Sequence, residues 1–211
     1  MSKQLSVIFF DWDGTLGASL DHSLAHLKLT FKRLGLPPFD PARSAEFNGP
    51  SIPGAFPLMN LPQERFDEYV AVRRQAELDC VADYAKLFPG IRELLAHLKG
   101  RARLAVISNG YEGYLKSSME TTGVASYFDW VFPLVEGQSK GVTLGQALAR
   151  IQPERAVMVG DHTGDFVAGR MNNLPTIGVG YGYGTAEELA QADYRAATVA
   201  DLQIMLDQLI G

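Results

Sequence analysis

The chain has 211 residues, 46% hydrophobic and 20% charged, with 24 acidic against 19 basic side chains and a net charge of −5. That apolar share excludes whole-chain disorder, and the length suffices for one sizeable core plus a small accessory domain. Mild acidity without a basic run or tail gives a nucleic-acid backbone no footing, so no nucleic-acid partner is expected.

The N-terminus reads Met1-Ser2-Lys3-Gln4-Leu5, and the apolar run that follows spans only Val7 to Phe10. A signal peptide or a spanning helix needs a longer stretch, so a soluble, cytoplasmic chain with no membrane partner is expected. Val7-Ile8-Phe9-Phe10 itself suits a buried strand running into the polar loop Asp11-Trp12-Asp13-Gly14-Thr15. From about Gly17 to Leu87 there is no convincing strand. Leu20, Leu24, Leu27, Phe31 and Leu34 recur at helical spacing, and Phe66, Tyr69, Val70, Arg73, Ala76 and Cys80 predict a second helix opening near Pro62. Cys80 is the only cysteine; it excludes an internal disulfide and is expected as a small packed thiol. The stretch from Phe47 to Gly54 between the helices is rich in turn formers.

After Pro89-Gly90, Ile91, Leu94, Leu95 and Leu98 form a helical face. Strand-like runs follow at Leu104–Ile107, Trp130–Phe132, Ala156–Val159 and Thr176–Val179, with another helical face at Leu144, Ala147, Leu148 and Ile151. Alternating strands and helices predict an α/β fold, a Rossmann-like parallel sheet sandwiched by helices. The expected domains are a core of residues 1–17 and 88–211 and an inserted all-helical lid of residues 18–87. Internal repeats and low-complexity segments are absent from the sequence.

Ligands of an open parallel sheet bind outside the carboxyl ends of its strands. Those ends carry Asp11 and Asp13, then Ser108-Asn109-Gly110, then Gly160-Asp161, with Asp165 four residues later. Four carboxylates in one crevice repel each other unless something positive sits among them, and a hard divalent cation with oxygen ligands, Mg²⁺, is the natural answer. Lys140, opening a helix, adds a fixed cation; with Ser108 and Asn109 it forms a candidate phosphate site. Asp11 is best placed as nucleophile, and Asp13, two residues on and pointing the same way, as acid and base.

Asp11-Trp12-Asp13-Gly14-Thr15-Leu16 resembles the first motif of the haloacid dehalogenase superfamily of phosphohydrolases. Ser108-Asn109-Gly110, Lys140 and Gly160-Asp161-His162-Thr163-Gly164-Asp165 match its second, third and fourth motifs in order. The resemblance implies Mg²⁺ bound by Asp11, the Asp13 backbone carbonyl and Asp161, with Asp165 as a support behind them or a further ligand. It also implies that the helical insert is a cap closing over a small phosphorylated metabolite. Gly49-Pro50-Ser51, Phe88-Pro89-Gly90, Gly180-Tyr181-Gly182-Tyr183-Gly184 and Ala192-Asp193-Tyr194 resemble the phosphoglycolate phosphatase-like branch. Two departures stand out: Ala18 replaces an Asp that many relatives carry, and Lys140 is followed by Gly141 rather than Pro.

Asp13 argues against the dehalogenases, which lack the second Asp. A sugar phosphomutase shares the four motifs and remains an alternative. A phospho-Asp receiver module is disfavoured by the helical insert and by the Asp11–Asp13 spacing. The glycines from Gly178 to Gly184 follow the last predicted strand, so packing or loop flexibility is expected there, not dinucleotide binding. The histidines His22, His26, His97 and His162 form no metal motif. His22 and His26 are expected at surface or hinge positions, while His162 is a candidate to line the phosphate site. For Arg43, Arg73 and Arg74 a solvated helix face is expected, the alternative being recognition of a substrate carboxylate. Oligomeric state is not determined by these features.

Overall fold

The computed structural model describes residues 5–47, 51–133 and 135–210. Among these, β1 (Ser6–Phe10), β2 (Arg103–Ile107), β3 (Trp130–Phe132), β4 (Arg155–Gly160), β5 (Thr176–Val179) and β6 (Tyr194–Ala196) form one sheet in the order β3-β2-β1-β4-β5-β6. Every neighbouring pair is parallel. The α/β reading holds. β6 is a strand without an apolar run, since of its three residues only Ala196 is buried.

β1 is central and buried along its length because both faces of the sheet are covered. Its residues alternate between two cores, as the period of an extended chain requires. Ile8 and Phe10 pack with Leu94, Leu95, Tyr114 and Leu202 from α4 (Ile91–Leu98), α5 (Glu112–Thr121) and α9 (Val199–Ile210). Val7 and Phe9 pack with Leu144, Ala147 and Ala168 from α6 (Lys140–Ile151) and α7 (Thr163–Met171). A short α8 (Ala186–Leu189) precedes β6. The chain leaves β1 toward β2 on one side and returns to β4 on the other, so a crevice opens at the carboxyl ends of β1 and β4.

Between β1 and α4 lie α1 (Leu20–Arg33), the single turn α2 (Ser44–Phe47), a 3-10 stretch Pro53–Met59, and α3 (Phe66–Tyr84), which is preceded by a 3-10 turn at Gln63–Arg65. These elements build their own apolar cluster from Leu27, Phe31, Phe39, Phe47, Phe56 and Tyr69. Phe31, Phe39 and Phe47 meet edge to face, with centroids 5.0 and 5.6 Å apart along the row. Cys80 is buried, as expected of a packed thiol. Of Gly49-Pro50-Ser51, Gly49 and Pro50 lie outside the described residues. The insert departs and returns side by side: Ala18 N donates to Lys86 O at 2.9 Å, and Phe88 N donates to Leu16 O at 3.0 Å. Among the described residues, no helix is long and apolar enough to cross a membrane.

Candidate active site

The site is assembled where strands stop. Asp11 N donates to Val159 O at 2.9 Å, which extends the β1–β4 ladder one residue and sets where the Asp11 side chain emerges. The chain then turns sharply, with Trp12 O accepting from Leu16 N at 3.0 Å and Gly17 N at 2.8 Å. Gly14 lies inside this turn at φ 78°, where a Cβ would stand 2.2 Å from Asp161 Oδ2. Only glycine tolerates both the left-handed backbone and that approach. Ser108 follows β2 and its Oγ accepts from Gly110 N at 3.0 Å. Ser139 caps α6 by accepting from Val142 N at 3.3 Å, and Lys140 is the first residue of that helix. A cation at a helix N-terminus is unfavourable for the helix alone. Its partners explain it.

Lys140 Nζ stands 2.9 Å from Asp11 Oδ1 and 2.5 Å from Asp165 Oδ1, with its side chain only 8% exposed. Burial alone pulls the ammonium down, but Asp11 and Asp165 more than offset this and hold it above the usual lysine range. Asp165 Oδ2 accepts from Asp161 N at 3.1 Å and His162 N at 3.0 Å, tying the start of α7 together. Asp161 is fully buried, and its Oδ2 accepts from Tyr183 N at 2.8 Å. Burial pushes its carboxyl up to about 6, opposed by His162 and the Tyr183 N–H. Burial also pushes Asp11 well up, with Lys140 pulling against it and Asp165 and Asp161 adding to it.

Oxygen atoms of Asp11, Asp161 and Asp165 lie within 4.8 Å of one another, all buried. Three carboxylates against one ammonium leave an excess of negative charge in a dry space. Hard, negatively charged oxygen donors of this kind fit Mg²⁺.

Above them is a cavity of about 770 Å³ between the strand ends and the helical insert. Asp11, Asp13, Ser108, Asn109, Lys140 and Asp165 line it, so the structure brings together residues from all four motifs. Asp161 lies beneath, reached through the glycines of the Gly178–Gly184 loop: a Cβ on Gly182 would stand 2.5 Å from Asp161 Cβ. Those glycines serve close packing, as expected. His162 also faces the cavity and bonds through Nδ1 to Glu188 Oε1 at 3.1 Å. Tyr183 lines it too, its hydroxyl accepting from Leu20 N at 2.9 Å, while Tyr181 donates to Thr15 O at 3.2 Å.

Two expectations are corrected. His22 and His26 are not at surface or hinge positions: they are 3% and 4% exposed and line the cavity. Arg73 is not on a solvated face either; it is 4% exposed, while Arg74 is half-buried, and both line the same cavity. The reason lies in how α1 packs on α3, with Leu27 and Phe31 turned into the apolar cluster of the insert. The faces carrying His22, His26 and Arg73 are thereby aimed at the strand ends. Arg43 is half-buried and outside the cavity lining, paired with Glu46 at 2.8 Å and lying over the Phe47 ring at 5.5 Å. Asp21 pairs with Lys86 at 3.3 Å in an exposed position and does not line the cavity.

Tyr114 and Glu77 were not singled out from the sequence. Tyr114, on α5, donates its hydroxyl to Asp13 Oδ1 at 2.6 Å and stacks on His22 with centroids 5.0 Å apart. His22 Nε2 in turn meets Glu77 O at 2.8 Å. One signal was available: Glu77 lies four residues after Arg73, one helical turn on. Burial pushes the Glu77 carboxyl up to about 7, with Arg73 and Arg74 lowering it and Asp13 raising it; His22 and His26 face it from α1.

That shift has a measurable consequence. A carboxyl whose folded pKa exceeds its unfolded value binds its proton more tightly when folded. Its contribution is fully present below the unfolded value of 4.5 and is lost as pH rises toward 7. Wild-type stability should therefore fall across this window by on the order of 3 kcal/mol from this group. Glu77→Gln should flatten that part of the profile, read by chemical unfolding at several pH values. Equal slopes in the two proteins would show that Glu77 is not the source.

Comparison with known proteins agrees with the geometry. Residues 8–179 match the family model described as haloacid dehalogenase-like hydrolase. A phosphoglycolate phosphatase of Aquifex aeolicus is 31% identical over 189 residues, covering 85% of this chain and 86% of that protein. A tyrosine-protein kinase of Mycobacterium tuberculosis is 28% identical over 216 residues, covering 96% and 70%. A haloacid dehalogenase-like family hydrolase from Streptococcus pneumoniae superposes with a TM-score of 0.83 at 26% identity, covering 99% of this chain and 100% of that one. Sheet order, strand-end carboxylates and these likenesses agree: the chain belongs to the haloacid dehalogenase-like hydrolase family, on its phosphoglycolate phosphatase-like branch.

Proposed function

We propose that the chain is a Mg²⁺-dependent phosphatase of the cytoplasm that hydrolyses a small, phosphoglycolate-like phosphorylated metabolite through an aspartyl-phosphate. The observation that carries this reading is the buried cluster of Asp11, Lys140, Asp161 and Asp165 at the mouth of a cavity large enough for such a ligand. Residues 18–87 act as a cap over that cavity. The paired linkers at Ala18–Lys86 and Leu16–Phe88 support this, since they concentrate any movement of the insert at one place.

Asp11 attacks phosphorus, and the bond from phosphorus to the ester oxygen breaks. Asp13 gives that oxygen its proton. Asp13 then takes a proton from water, whose oxygen attacks the phosphorus of the aspartyl-phosphate, releasing inorganic phosphate and restoring the Asp11 carboxylate. Lys140 offsets negative charge beside Asp11, and the Ser108 hydroxyl with the Asn109 amide orients the phosphoryl oxygens. Asp11, the Asp13 carbonyl and Asp161 would hold Mg²⁺, with Asp165 fixed behind them by Lys140 and two backbone N–H groups. When bound, the ion supplies positive charge against which the phosphoryl group is neutralised. Tyr114 keeps the Asp13 carboxylate at one place.

Release of inorganic phosphate from a panel of phosphorylated metabolites, with and without Mg²⁺, tests the reading. Turnover that is lost in EDTA and restored by Mg²⁺ is expected, with preference for a two-carbon phospho-acid. Turnover unchanged by EDTA would overturn the metal assignment. Transfer of phosphate from ATP to tyrosine, with no hydrolysis of the panel, would instead favour the activity in the mycobacterial relative's name.

A further inference from the structure

Asp13 has to give a proton to the leaving oxygen and then take one from water, so the surroundings of its two carboxyl oxygens matter. Tyr114, the third residue of α5 and 5% exposed, donates its hydroxyl to Asp13 Oδ1 at 2.6 Å. Its ring is fixed from two sides. Gly110 of the second motif approaches so closely that a Cβ there would stand 3.0 Å from Tyr114 Cδ1. His22, on α1 of the insert, stacks on the ring with centroids 5.0 Å apart and planes 19° from parallel. His22 Nε2 lies 2.8 Å from Glu77 O. A carbonyl oxygen only accepts, so Nε2 carries a proton and the imidazole is held in turn by the backbone of α3.

The ring alone would serve the apolar cluster under the sheet, to which Tyr114 belongs. The hydroxyl is a different matter. A buried hydroxyl is costly unless a partner completes it, and the partner here is the acid and base of the reaction. Because the phenol donates, the oxygen it meets is an accepting one. When Asp13 carries a proton, Oδ1 is therefore its carbonyl oxygen, and the mobile proton belongs to Oδ2. As that proton leaves, negative charge spreads over both oxygens, and the hydrogen bond to Oδ1 becomes charge-assisted and stronger. A bond that strengthens along the reaction lowers the barrier as well as fixing a position.

We propose that Tyr114, braced by His22, is a positioning residue that assigns proton transfer to Oδ2 of Asp13 and steadies the charge left on Asp13 when the proton departs. The inference rests on the phosphatase reading and adds to it a residue pair outside the four motifs. In the step concerned, Asp11 bonds to phosphorus, the ester P–O bond breaks, and its electron pair stays on the departing oxygen. An alkoxide takes the Oδ2 proton as it leaves, whereas p-nitrophenolate is a stable anion and leaves without one. Tyr114 therefore matters most where the leaving group is most basic.

The test follows consumption of ester by excess enzyme in a single turnover, which reads formation of the aspartyl-phosphate alone. It compares p-nitrophenyl phosphate with an alkyl phosphate, the fastest of the metabolite panel. Tyr114→Phe keeps the ring against His22 and Gly110. It should slow the alkyl ester about tenfold more than the nitrophenyl ester, the effect of one charge-assisted hydrogen bond. His22→Gln can still donate to the Glu77 carbonyl but brings no ring, and should shift the same ratio the same way by about threefold. Thermal unfolding of both variants checks that they are folded. Equal slowing of the two esters in Tyr114→Phe, or no slowing of either, would make Tyr114 a packing residue and overturn the inference while the phosphatase stands. A shift in Tyr114→Phe alone would overturn the bracing by His22. No consumption of any ester by wild-type protein would overturn the phosphatase reading, and this inference with it.

Discussion

Asp11→Asn should abolish turnover, by at least ~10⁴-fold, while leaving the protein folded. An amide nitrogen in place of a carboxylate oxygen removes the nucleophile without altering the side chain's volume. Stability should hardly change, because two effects oppose each other. The ion pair with Lys140 at 2.9 Å is lost, but Lys140 keeps Asp165 at 2.5 Å. Repulsion from Asp161 and Asp165, which helps to push the Asp11 carboxyl up, is relieved at the same time. Single-turnover phosphate release paired with thermal unfolding reads both quantities. Activity above about a hundredth of wild type in a cleanly folded variant would exclude Asp11 as nucleophile.

Lys140→Ala separates from this in stability as well as in rate. Here the one ammonium that, among the described residues, pairs with these buried carboxylates is removed. Breaking a buried pair by deleting one partner costs ~3–5 kcal/mol, and in a domain of this size that lowers the melting temperature by on the order of 10 °C. Asp165 bears most of the loss, since its side chain is 1% exposed and its Oδ1 is left facing Asp11 without a cation. The sign of the pH dependence follows. With Lys140 gone the Asp11 and Asp161 carboxyls are driven further up, so the folded state binds protons more tightly and the deficit shrinks as pH falls toward 5. Activity should fall by about 10²–10³-fold, the size of effect seen when one stabilising cation or donor is lost from a developing anion. A variant as stable as wild type across pH 5–8 would show that Lys140 does not hold these carboxylates together.

The contrast between the two variants depends on a feature legible in the sequence: Asp11, Lys140, Asp161 and Asp165 each follow or open a regular element. β1, β2, β4 and β5 are short runs of apolar residues covered on both faces, so their limits show in composition. A parallel sheet then forces their carboxyl ends to one edge. β6 was not legible, because an edge strand with Tyr194 and Arg195 exposed has no such run.

The opposite wall of the cavity was not legible for a different reason. His22, His26, Arg73 and Glu77 lie on helices whose apolar pattern says that they pack, not against what. In α3, Tyr69 serves the apolar cluster of the insert, Val81 joins the cluster under the sheet, and Arg73 and Glu77 face the cavity between them. A helix used on several sides shows no single polar face, so its arginines read as solvated. Tyr114 is hidden in the same way: on α5 it counts as an apolar core residue, and only the placement of Asp13 turns its hydroxyl into a partner at 2.6 Å.

The sequence by itself determined the α/β class, the four motifs and the edge of the sheet where they meet, because backbone period and parallel pairing carry those consequences locally. Tertiary structure alone decided that His22, His26 and Arg73 are buried, and Arg74 half-buried, over that edge. Their positions depend on how α1 and α3 pack on each other and on the paired linkers, a long-range contact that no local pattern encodes.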